Sequence, residues 1–345
     1  MPRHIGDVPH PTPSRAIPRR PGRVGGGGSV VAAYPRVVTA APPATAPSTR
    51  ATSTHPWLPR ILLANLVLEV LIVVTGGLVR LTGSGLGCPT WPECVPGSYV
   101  PVPEQAQGIH KYIEFGNRTL TGAVGFAAIL VVYAVWRWAG RRRDLMVPAW
   151  VVLGGVVTQA VLGGITVRTG LNPATVSAHF LVSMVLVAAS AFIVFRAQEP
   201  PGPRPLSVHP LVERLAGVAC AVAAVVLLLG TVVTGSGPHS GDADEPARFG
   251  FDPRTISWLH ADAVMLFIGL VVAVWVAARL STRSRRASDA WRTVLLVTLA
   301  QGVVGYVQYL TGLPEVLVLV HMLLASLLVV ALTAGVVRLR TTLPG

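Results

Sequence analysis

The sequence predicts an all-α integral membrane protein, with eight transmembrane helices arranged as two tandem, pseudo-symmetric four-helix bundles. Three observations lead there. The 345-residue chain is 52% hydrophobic and only 12% charged, too apolar a balance for the surface of a soluble protein of this size. Eight apolar stretches of about 20 residues, the length that crosses a bilayer, fall at 58–79, 109–136, 147–167, 175–195, 213–233, 255–278, 291–310 and 315–337. The second half of the chain also echoes the first. Barrel strands would be shorter and would alternate in polarity.

The echo is specific. Gln159 to His179 spans 20 residues, as does Gln301 to His321. Gly163 corresponds to Gly305, and TGL at 169–171 to TGL at 311–313, all at an offset of 142. LTGSG at 81–85 is matched by VTGSG at 233–237, and IEFGNRTLTG at 113–122 lies against ISWLHADAVM at 256–265. Four helices per half keep both halves in the same orientation, so the repeat is parallel. Each bundle then has its own interior, which is where bundles hold cofactors. The boundaries read as an N-terminal arm at 1–57, a first bundle at 58–197, a linker at 198–212, a second bundle at 213–338 and a tail at 339–345. The arm is rich in Pro, Ala, Arg and Gly and predicts disorder. The first apolar run is too long and too far in for a cleavable signal.

The formal net charge is +13, but its distribution argues against nucleic acid as a partner. With the N-terminus inside, 22 Lys and Arg fall on the inner side, and six lie in outer segments or at outer helix ends. Those six are Arg80, Lys111, Arg118, Arg168, Arg248 and Arg254. This bias predicts a multi-pass protein of the cell membrane with both termini cytoplasmic.

Ionisable side chains within such helices are costly and mark sites. His260 and His321 sit at matching depths in the sixth and eighth helices, both of which run inward. Across a bundle they can ligate one haem iron from both faces; otherwise they are histidines satisfied by interhelical hydrogen bonds. Without a Cys-x-x-Cys-His motif, any haem is non-covalent. In the first half His179 corresponds to His321, but Asn117 stands where His260 does, and Asn is a poor iron ligand. His110 is seven residues earlier, about 10 Å nearer the outside. The first site is therefore asymmetric, which suits a porphyrin that must come and go.

Glu114, whose counterpart is Ser257, shares a face with His110 and Asn117. It can accept a proton or stabilise positive charge on a reacting carbon; alternatively it pairs with Arg118 one turn on. Glu69, midway along the first helix, is either a proton-path residue or a hydrogen-bonded helix contact. Arg80, Arg118 and Arg168, at outer helix ends, either meet haem propionates or snorkel to the interface. Cys88 and Cys94 bracket PTWPE in an outer loop, where they can close a structural disulfide or exchange electrons. Cys220 is expected only to pack, and His239 to be exposed and no ligand.

GGLVRLTGSGLGCPTWPEC, IEFGNRTLTG, TVSAHF and LVLVHM together resemble the haem A synthase family, and actinobacterial members most. The resemblance covers about 58–338. It implies oxidation of a methyl group of haem O to a formyl group by successive hydroxylations, giving haem A for cytochrome c oxidase. It implies haem b (iron-protoporphyrin IX) held by His260 and His321 in the second bundle. It also implies haem O in the first bundle, with His179 on its iron, Glu114 as the catalytic glutamate and Cys88/Cys94 as the family's cysteine pair. Haem O synthase (protohaem farnesyltransferase) and a membrane electron donor follow as partners, and a homo-oligomer is compatible with this. Many members carry His where this chain has Asn117, so bis-His binding of the substrate is in question, with His110 as a substitute. The competing reading is a bis-His haem b electron carrier of the quinone-linked cytochrome b type. Glu114 and the cysteine pair, present only in the first half, favour the oxidase.

Overall fold

The computed structural model describes residues 55–140, 142–239, 241–242, 246–281 and 285–341. All but the last three residues of the sequence-predicted arm lie outside these. Eight helices form: α1 (Trp57–Leu81), α2 (His110–Trp138), α3 (Arg143–Arg168), α4 (Pro173–Ala197), α5 (Pro210–Ser236), α6 (Pro253–Ser281), α7 (Arg285–Leu310) and α8 (Glu315–Val337). All eight are long and apolar enough to cross a membrane. Several overrun the apolar stretches read from sequence. α7, for example, starts six residues before the stretch at 291–310, within RRASD. A helix does not stop where hydrophobicity stops; its polar end continues into the interface.

Local signals explain the ends. Pro173 and Pro210 occupy first helical turns, where a missing N–H costs nothing. Asn172 caps α4 by accepting from Ala174 N at 2.9 Å, and His209 caps α5 by accepting from Leu211 N at 3.2 Å. Asp252 caps α6, accepting from Thr255 Oγ1 at 2.7 Å and Thr255 N at 2.8 Å, and these bonds hold its carboxyl below the ordinary range. The α3–α4 and α7–α8 turns share one unusual shape. Gly170 and Leu171 take φ of 60° and 55°, and Gly312 and Leu313 take 79° and 62°. The two TGL segments thus adopt the same left-handed backbone.

Short connections make successive helices antiparallel. In the first four helices α1 packs on α2 and α4, and α3 packs on the same two. In the last four, α5 packs on α6 and α8, and α7 likewise. The two rings meet along α1, α4, α5 and α8. Gly77 permits close approach at this seam, since a Cβ there would come 2.5 Å from Met322 Sδ of α8. Large apolar residues such as Leu63, Val67, Leu71 and Leu78 of α1 are exposed, as expected for a surface whose solvent is lipid.

The packing is lopsided. The core of the first ring uses Leu58 and Leu62 from the start of α1, Val131 from late α2, Leu145 from early α3 and Ile193 from late α4. The core of the second uses Val212, Val274, Trp291 and Leu339, again from the same end. This is the end opposite the long loop 82–109. Salt bridges fasten it further: Asp144 meets Arg142 at 2.8 Å and Arg196 at 2.7 Å, and Glu199 meets Arg204 at 2.9 Å. The linker is tied to the chain's end by Ser207 N donating to Leu339 O at 2.9 Å.

Trp291 is fully buried, and its indole N–H donates to Gly335 O at 3.2 Å. Trp291→Ala should destabilise the second ring by about 3–5 kcal/mol, read as a lower thermal midpoint of the detergent-solubilised protein. Leu63→Ala on the lipid face should change stability by no more than about 0.5 kcal/mol, leaving the midpoint close to that of wild type.

Candidate functional site

The helices also leave open space between them. A cavity of about 2100 Å³ is lined by residues of both rings, among them Glu69, Glu114, Asn117, Arg118, His179, His260 and His321. Its walls are mostly aliphatic, so each polar group on them calls for an explanation.

The three histidines share one local construction. Each imidazole lies against a glycine of the neighbouring helix. A Cβ would come 3.5 Å from His179 Cε1 at Gly163, 3.3 Å from His260 Cε1 at Gly230, and 3.2 Å from His321 Cε1 at Gly305. The backbone behind two of them is pinned alike: Gln159 Nε2 donates to His179 O at 2.9 Å, and Gln301 Nε2 to His321 O at 3.0 Å. Gln159 also bonds Ser183. The Nδ1 atoms of His179, His260 and His321 are buried without a hydrogen-bond partner. An interaction of His260 with the Val226 backbone falls short of hydrogen-bond geometry. The interhelical hydrogen bonds that would have made these histidines merely structural are therefore missing. His260 and His321, on α6 and α8, line the same cavity. Imidazoles facing a roomy, mostly aliphatic bundle interior fit the ligation of a haem iron.

The first ring differs as its sequence indicates. Asn117, opposite His260 in the repeat, accepts from Thr75 Oγ1 at 2.8 Å. His110 is the first residue of α2, and its Nδ1 faces Ser84 Oγ at 2.8 Å. It is not among the residues lining the cavity, whereas His179 and Asn117 are.

Glu114 is 5% exposed. Its Oε2 accepts from the Cys88 N–H at 2.6 Å. Its Oε1 accepts from Arg118 Nε at 3.0 Å and Nη2 at 2.6 Å. The Arg118 pair weighed from sequence is thus present, and the same carboxylate lines the cavity. Arg118 continues into the outer loop, donating to the carbonyls of Cys88 at 2.7 Å and Thr90 at 3.0 Å. Lys111 donates to Val102 O at 2.7 Å and Pro103 O at 2.9 Å. The charges that crowd the start of α2 are largely clamps on residues 82–109. Within that loop Cys88 and Cys94 form a disulfide. Trp91 packs on α3 at Gly164, where any Cβ would overlap the indole.

Arg80 lines the cavity, but its Nε donates to His239 O at 2.6 Å and its Nη2 to Thr234 O at 2.9 Å. Arg168 does not line it; its Nη2 reaches Trp91 O at 3.2 Å. His239 departs from expectation. It is half-buried, with Nε2 3.2 Å from Leu313 O. Together with Gly85 N donating to Gly241 O at 2.9 Å, these contacts join the outer loops of both rings over the cavity. Sequence reasoning missed Thr75, Trp91 and the glycine behind each imidazole. Gly163 and Gly305 were visible only as repeat markers.

Fold and site define a polytopic helical membrane protein with a large cavity lined by buried histidines and a buried carboxylate. The chain belongs to the COX15-CtaA family, described as cytochrome oxidase assembly protein, whose model matches residues 59–240, more than half of the chain. It is 25% identical over 272 residues to a heme A synthase of Lysinibacillus sphaericus, covering 75% of this chain and 87% of that protein. It is 27% identical over 276 residues to a heme A synthase of Halalkalibacterium halodurans, covering 75% and 89%. A heme A synthase of Bacillus cereus is 33% identical over 124 residues, 35% of this chain and 39% of that protein.

The clamp can be tested directly. Arg118→Gln should loosen the loop, because it removes charge-assisted bonds worth about 1.5–3 kcal/mol each. Maleimide labelling of Cys88 and Cys94 under mild reductant should then proceed about tenfold or more faster than in wild type.

Proposed function

We propose that this chain is a haem A synthase, an oxidoreductase that converts a methyl group of haem O to a formyl group through successive hydroxylations. One observation carries the reading: the two ends of a single cavity are equipped differently. One end presents two imidazoles, those of His260 and His321. The other presents one imidazole, His179, with Asn117 and the buried carboxylate of Glu114.

In this reading His260 and His321 hold haem b, which supplies one-electron redox capacity when bound. Gly230 and Gly305 give the imidazoles room, and Gln301 fixes the backbone that carries His321. In the first bundle, taken as 58–197, His179 is the axial ligand for the substrate. A single strong ligand suits a molecule that must be released as product. Glu114 acts where the methyl group reacts, taking up a proton or balancing positive charge as it develops. Arg118 and the Cys88 N–H hold that carboxylate in place, so its position depends on the disulfide loop. Asn117, held by Thr75, offers a polar contact where the second bundle has an iron ligand. Arg80 and Arg118 are the basic groups nearest in role to propionate partners, while Arg168 and His110 serve the rim.

The aliphatic walls and the outer loops joined above exclude water from the reacting carbon. The second bundle, taken as 213–338, acts as the electron-handling half. The protein sits in the cell membrane with both termini in the cytoplasm, receives haem O from haem O synthase, and draws on a membrane electron donor. A quinone-linked electron carrier is not favoured, because Glu114 and the disulfide have no counterparts in the second half.

Two experiments test this. The purified protein should show a six-coordinate low-spin haem b spectrum that disappears in His260→Ala and in His321→Ala; a spectrum retained in both variants would refute the ligand assignment. In cells co-expressing haem O synthase, Glu114→Gln should keep haem b and lower haem A by about 100-fold or more, measured by extraction and chromatography. Undiminished haem A would remove Glu114 from the chemistry.

A further inference from the structure

Glu69 has no part in the site as described. It lies on α1 at 3% exposure, lines the cavity, and makes no hydrogen bond or ion pair among the described residues. The helix contact allowed for in the sequence is absent. One turn further in, Asn65 does make such a contact, donating from Nδ2 to Ser190 Oγ at 3.0 Å. The surroundings of Glu69 are apolar. Ile72 and Val73 continue its wall along α1, with Val156 of α3 and Met184 of α4 at comparable depth on the lining. The register set by LTGSG and VTGSG places Ala221 of α5 opposite Glu69. The carboxyl is therefore a feature of the first bundle alone.

A carboxyl left unpaired among aliphatic groups inside a membrane is costly. A ligand that donates a hydrogen bond at that depth removes the cost. Helix rise puts Glu69 about 18 Å below the outer end of α1, and His179 about 9 Å below that of α4. The carboxyl thus sits deeper than the iron-binding side chain, away from Glu114 and the basic rim.

We propose that Glu69 reads the hydroxyl group on the prenyl side arm of haem O. This rests on the function proposed above. Haem O differs from haem b in carrying a hydroxylated farnesyl arm in place of one vinyl group. The arm is apolar but for that hydroxyl, matching an apolar wall with one acceptor. A carboxyl accepts from a hydroxyl in either protonation state. Haem b brings no hydroxyl, and since both haems carry the same propionates, the hydroxyl is the polar group that tells them apart. Sites built to bond a hydroxyl reject analogues that lack it far more strongly than apolar pockets discriminate by size. Glu69 is on this account a specificity-determining residue that keeps abundant haem b out of the substrate position.

The test is a Soret titration of the full-length, haem b-loaded protein in detergent. Haem O, haem b and a haem O dehydrated at that hydroxyl are each added to wild type, Glu69→Gln and Glu69→Leu. Wild type should bind haem O about tenfold or more tighter than the dehydrated form or haem b. Glu69→Leu should lose that preference, and Glu69→Gln, which keeps an acceptor, should retain most of it. An intact low-spin signal from the second bundle reports folding. Wild type that binds hydroxylated and dehydrated haems equally overturns the assignment without any variant, as does Glu69→Leu with an unchanged preference. Wild type that takes up none of the three fails the functional reading itself, and Glu69's role falls with it.

Discussion

Three imidazole nitrogens, on His179, His260 and His321, are buried in mostly aliphatic walls with nothing to bond. In water such atoms would be satisfied at once. Inside a bilayer there is no water to do it, and neighbouring helices must supply partners or the site must be made for something else. The neighbouring helices here do the opposite. They place glycine behind each ring, which opens space for the imidazole and denies it a partner. Deeper in the same ring Asn65 Nδ2 does reach a partner, Ser190 Oγ, although its Oδ1 is buried without one.

The helices were plainly legible in the sequence, because membrane spans announce themselves by length and composition. Their ends were less so, since a helix runs on through the interface into residues that no longer look apolar, as α7 does over RRASD. The histidines and the acid were legible as exceptions in apolar runs. What they touch was not. That Arg118 would bond both Glu114 and the carbonyls of a loop nearly 30 residues earlier depends on how that loop folds back, and no periodicity encodes it. Neither does the reach of His239 to Leu313, which drew a loop residue expected to be exposed into the roof. The shared glycine and glutamine spacing in the two halves hinted at one construction used twice. Its meaning needed the third dimension.

The clamp at the start of α2 links the cavity to its cover. Glu114 bonds the Cys88 N–H, Arg118 bonds Glu114, and Arg118 also bonds carbonyls of the segment that the disulfide closes. The loop cannot move independently of the carboxylate beneath it. A costly set of charges at a helix end is thereby made mutually satisfying, as buried polar networks must be to persist.

The uneven packing along the membrane normal has its own consequence. Cohesion is concentrated at the helix ends remote from loop 82–109, like the root of a tooth, while the histidines and Glu114 stand around open volume nearer that loop. A guest can therefore be exchanged without dismantling what anchors the helices to one another, and a protein that must part with its product on every cycle needs that independence.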